Sequence, residues 1–78
     1  MVKQLREMSK TTFENLGEKT KIKMLNQQFS IHHDEWCKVS NWVEENTNEP
    51  YYFELNGGTW WVSFYGSADA VSFKLQWI

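Results

Sequence analysis

Seventy-eight residues bound the chain to one small domain, whose core is marginal unless large side chains fill it. Aromatic residues make up 17% of it and there are five tryptophans, so neither a disulfide nor a structural metal is required. The net charge of −2 is split: residues 1–23 carry six basic against three acidic side chains, residues 24–78 only Lys38 and Lys74 against seven acids. An acidic body disfavours general binding to nucleic-acid backbones and suits a basic partner. Cys37 is the single cysteine and has no internal mate, which points to a reducing compartment. No run approaches a membrane span and the first residues lack a signal-peptide core, so a cytoplasmic protein without membrane association is expected.

Residues 1–19 read as an N-terminal extension to an α+β core over 20–78. Val2, Leu5 and Met8 recur every three residues, as do Phe13 and Leu16; Thr12 is placed to cap a turn that Gly17 ends. In Lys21-Ile22-Lys23-Met24-Leu25 apolar and charged residues alternate, which predicts a first strand over 20–28. A helix through Ile22, Leu25 and Phe29 competes with that reading.

Ser30 is placed to cap a helix over 31–46, with Asp34 and Glu35 where acids suit the helix dipole. Its inner stripe is Trp36, Val39 and Val43, flanked by Cys37 and Trp42. Glu44, Glu45 and Glu49 sit near or beyond its end, unfavourably for the dipole, which hints at a use. Pro50 biases Glu49 away from helical angles and stops the helix.

Two aromatic runs follow, 51–55 and 60–65, joined by Asn56-Gly57-Gly58-Thr59. They predict a β-hairpin. Alternation puts Tyr51, Phe53, Leu55, Trp60, Val62 and Phe64 toward the core. Tyr52, Glu54, Trp61, Ser63 and Tyr65 share the opposite, mixed face. The last segment is ambiguous. Val71, Phe73, Leu75 and Trp77 alternate like a third strand, while Ser67-Ala68-Asp69-Ala70 opens like a helix that would align Ala70, Phe73 and Trp77.

Candidate chemistry is sparse. His32, His33 and Cys37 are the soft metal-ligand types, and His33 and Cys37 are four apart, but zinc takes three or four protein ligands. A solvated helix start with a half-buried thiol is the expectation, with no metal and no cofactor. The chain has no Gly-x-Ser-x-Gly elbow and no phosphate loop, because no Lys-Ser or Lys-Thr follows Gly57-Gly58. A non-enzymatic protein is expected. Tyr52, Trp61 and Tyr65 form the candidate contact surface, since tryptophan and tyrosine dominate interface hot spots. Glu44, Glu45, Glu49 and Glu54 are expected to give it an acidic edge. Base stacking on the sheet is the alternative, opposed by Glu54 and the lack of basic residues on that face. A homodimer through the hairpin edge is a further one. A competing expectation is that residues 1–19 fold over this face and complete the core.

The tail Asp69-Ala70-Val71-Ser72-Phe73-Lys74-Leu75-Gln76-Trp77 resembles the ending Asp-Ala-x-x-Phe-x-Leu-x-Trp of small tailed-phage proteins, which also tend to carry an upstream helix similar to Asp34-Glu35-Trp36-Cys37. The resemblance covers roughly residues 20–78 and carries no functional residue across. It implies a ferredoxin-like α+β sandwich, ordered β-α-β-β-α with any last strand truncated at Trp77-Ile78. A helix on a three-stranded antiparallel meander is the alternative. The function it suggests is inhibition or redirection of a host protein, such as a defence nuclease complex in the manner of an anti-CRISPR, or a transcription factor.

Overall fold

A computed structural model of the chain describes residues 7–78. Two short helices, α1 (Lys10–Glu14) and α2 (Glu18–Leu25), lead into strand β1 (Gln28–Ile31). A 3-10 turn (His33–Glu35) and helix α3 (Trp36–Asn46) follow. The hairpin β2 (Tyr51–Asn56) and β3 (Thr59–Phe64) comes next, and helix α4 (Ser67–Trp77) closes the order. The sheet is antiparallel in the order β1-β3-β2. This is the expected β-α-β-β-α arrangement of the ferredoxin-like kind, with three strands among the described residues. No helix among them is long and apolar enough to cross a membrane.

The hairpin forms as its sequence dictates. Gly57 and Gly58 take φ of 62° and 81°, the left-handed angles that a two-residue type I′ turn demands at both positions. The register pairs Tyr51 with Phe64, Phe53 with Val62 and Leu55 with Trp60. Those side chains share one face, and α3 and α4 pack on it, but Leu55, expected toward the core, lies beyond them beside the turn and is 57% exposed. Ile31, Val39, Val43, Tyr51, Val62, Phe64, Ala70 and Phe73 make the main core. Trp36 stacks on Trp60 with ring centroids 4.1 Å apart and meets Phe53 edge-on at 4.9 Å. The 11-residue helix α4 settles the tail as helical, with Ala70 and Phe73 buried and Trp77 edge-on to Trp42.

Three sequence expectations are corrected. Residues 20–28 are not a strand: α2 runs to Leu25 and β1 begins at Gln28. The alternating pattern misleads because only Met24 is fully buried, while Ile22 and Leu25 are 51% and 45% exposed. Good helix formers with Glu18 in the first turn outweigh the alternation. The 31–46 helix starts late, at Trp36, because Ser30 and Ile31 belong to β1; the His32 side chain accepts from the Asp34 amide in place of a serine cap. At the front, Ser9 rather than Thr12 caps α1 by accepting from the Thr12 amide, and Gly17 precedes α2 as its N-cap. Val2 and Leu5 lie outside the described residues. Glu7 forms an isolated parallel bridge with Tyr51, and the Met8 amide donates to the Tyr51 carbonyl at 2.8 Å.

The turn after α3 is held by one buried carboxylate. Asp69 is 4% exposed and accepts from the backbone amides of Asn48 (3.1 Å) and Glu49 (2.9 Å). Its place in the first turn of α4 also suits the helix dipole.

Candidate functional site

Alternation along the sheet sorts its second face into three rows by register. Gln28, Ser63 and Tyr52 form the first, Ser30, Trp61 and Glu54 the second, Thr59 and Asn56 the third. Helices α1 and α2 cover only the first row. Phe13 and Met24 pack there on Tyr52, with Met8 and Leu16 at the rim. Among the described residues, no helix covers the second and third rows beyond the end of α2. Leu25, Gln28, Glu54, Asn56, Thr59 and Trp61 line a shallow groove over them.

The predicted contact residues therefore separate. Tyr52 is not on the surface: it is 4% exposed, with the Phe13 ring stacked on it at 4.3 Å. Burial pushes the Tyr52 hydroxyl above its ordinary pKa, and the charges of Glu54 and Glu14 push it the same way. Trp61 keeps a half-buried ring at the centre of the open row. Tyr65 lies just past β3, exposed, with the Lys23 ammonium 4.6 Å from its ring centroid. Its amide donates to the Pro50 carbonyl, so it belongs to the opposite end of the sheet from the hairpin turn.

The acids do not form one edge beside the aromatics. Only Glu54 does so, directly across from Trp61 in the register. Glu44 and Glu45 sit in the last turn of α3, in the layer on the far side of the sheet. Glu49 lies in the turn after α3, its amide held by Asp69 and its side chain against Gly66. The sequence places these acids close together along the chain, but α3 and the turn carry them around the sheet from Trp61.

Two exposed apolar residues are not among the predicted contact residues. Ile22 and Leu25 are one turn apart on α2 and both exposed, with Leu25 lining the groove beside Trp61. The signal was present in the helical spacing of the two. It does not say which way the pair faces, because the period, not the direction, of an apolar stripe is what a sequence displays.

Around His32, His33 and Cys37 the structure shows a solvated helix start. Cys37 is exposed rather than half-buried. His32 Nδ1 lies 3.8 Å from Asp34 Oδ2, both side chains open to water. Among the described residues no three His, Cys, Asp or Glu are grouped to hold a metal ion. No family model, no curated protein and no solved structure matches this chain.

Proposed function

We propose that this chain is a non-catalytic protein-binding domain whose contact surface is the uncovered half of its sheet, centred on Trp61. The observation that carries this reading is the half-exposed Trp61 in an open strand row, with exposed Leu25 beside it and the Glu54 carboxylate across from it. A tryptophan ringed by aliphatic and polar side chains is the usual make-up of an interface hot spot. Glu54 selects for a basic or hydrogen-bonding group on the partner. Glu44, Glu45 and Glu49 add long-range attraction for the same kind of partner without touching this surface. On the resemblance of residues 69–77 to tailed-phage proteins, the partner is a host protein that the chain inhibits or redirects in the bacterial cytoplasm. The same charge pattern disfavours nucleic acid as the ligand, since Glu54 stands where a base-stacking sheet would carry arginine or lysine.

Site-directed photo-cross-linking tests the reading. A photoreactive residue at Gln28 or Asn56 flanks Trp61 without replacing it, and one at Gln76 on the exposed side of α4 is the control. The expected result, in a nuclease-treated bacterial lysate, is one discrete adduct to a lysate protein from positions 28 and 56 and none from position 76. Equal labelling from all three positions, or none from any, contradicts the assignment of this face.

A further inference from the structure

Strand β1 is an open edge of the sheet. Among the described residues nothing pairs with it on the side away from β3. The direction of its polar groups follows from the ladder. The Phe64 amide donates to the Gln27 carbonyl, and antiparallel bonding alternates from there. Phe29 and Ile31 therefore turn their backbone groups toward β3, and Gln28 and Ser30 turn theirs outward. These outward groups sit on a strand that has no charge, no proline and two large apolar residues. Edges are normally protected by just those missing devices.

We infer that this edge pairs with the same edge of a second copy, antiparallel about a two-fold axis through Phe29, to give a continuous six-stranded sheet. In that register Gln28 exchanges both backbone bonds with the partner's Ser30, and Ser30 with the partner's Gln28. Phe29 faces its own counterpart across the axis in the close, non-hydrogen-bonded position, where aromatic pairs gain most. Phe29 already packs on Phe64 and Phe73, so the pairing extends the main core from one copy to the next.

Charge chooses the second copy and the antiparallel sense. β1 is preceded by α2 with Lys21 and Lys23, and followed by Asp34 and Glu35. Antiparallel pairing brings the basic end of each copy toward the acidic end of the other. Parallel pairing would set acid beside acid and lysine beside lysine. The arrangement is self-complementary, as a two-fold interface requires. It leaves Trp61 accessible, and it stands independently of what Trp61 binds.

The test is the mass in solution by analytical ultracentrifugation over a concentration series, with amide exchange read on the same samples. The expected result is a rise from 9.4 kDa to twice that mass. Protection of the Ser30 amide should rise in parallel, because that amide faces solvent in a single copy. Ser30→Pro removes an outward donor and no bond to β3, so it should stay folded and remain a monomer. If Ser30→Pro fails to fold, the double variant Asp34→Lys and Glu35→Lys, both on exposed side chains, should weaken the association several-fold. A wild-type chain that stays at 9.4 kDa throughout, or one that doubles while the Ser30 amide stays unprotected, overturns the inference. A folded Ser30→Pro that dimerises as the wild type does so too.

Discussion

The Phe13 ring lies flat on the Tyr52 ring, 4.3 Å between centroids and 6° from parallel. One contact thus ties the five-residue helix α1 to the first row of the sheet, on β2. It turns Tyr52 from a surface aromatic into part of a second, smaller core with Met24. So short a helix has little stability of its own, and this packing is what keeps it in place. Phe13→Ala should lower the unfolding free energy by about 3 kcal/mol, the usual range for a buried phenylalanine. Urea unfolding followed by circular dichroism measures this. A loss near zero would mean that α1 is not docked.

The burial of Tyr52 predicts an alkaline weakness. Its hydroxyl titrates above the ordinary tyrosine value because burial, and then Glu54 and Glu14, disfavour the phenolate. Below about pH 10 the group is protonated in both states and the stability it confers is intact. Above that, the unfolded chain releases the proton first, so stability falls as pH rises through the folded-state value. Tyr52→Phe should flatten the loss above about pH 10. Unfolding midpoints at a series of alkaline pH values decide it.

Asp69 should be among the most sensitive polar positions. Its carboxylate satisfies two backbone amides in the turn that links α3 to β2. Asp69→Ala leaves both donors without an acceptor and should cost about 2–3 kcal/mol, while Asp69→Asn, which keeps one acceptor oxygen, should cost less. The ordering of the two variants in urea unfolding is the check, and equal effects would contradict it.

Ser63 predicts the opposite sign. Its hydroxyl is buried on the face that α1 and α2 cover and has no hydrogen-bond partner among the described residues. Ser63→Ala removes an unsatisfied polar group at almost no change in packing, and should stabilise the fold by up to about 1 kcal/mol. A destabilisation of similar size, measured by thermal unfolding, would show that the hydroxyl is paired.

Much of this architecture is legible in the sequence, for reasons that particular residues make plain. Asn56-Gly57-Gly58-Thr59 between aromatic runs specifies both turn type and register, and with them which side chains face α3 and α4. Trp36, Val39 and Val43 mark the inner stripe of α3 directly. The reading breaks down where local pattern and tertiary packing disagree. Lys21-Ile22-Lys23-Met24-Leu25 alternates like a strand, yet it is a helix that buries Met24 alone. Tyr52 and Trp61 are equivalent by alternation. They differ only because Phe13, far away in sequence, lands on the first and stops short of the second. The acids Glu44, Glu45 and Glu49 are near Tyr52 along the chain, and α3 and the turn after it carry them away from Trp61. Neither outcome has a signature in local spacing.

The proposed contact role of Trp61, on the half-sheet that α1 and α2 leave open, is tested by a paired measurement on Trp61→Ala. Tagged wild-type and variant proteins are used to capture partners from nuclease-treated bacterial lysate, and both are melted in the same buffer. The expected result is a protein held stoichiometrically by the wild type and lost by Trp61→Ala, with the variant still folded cooperatively. A variant that retains the partner, or that no longer folds, would contradict it.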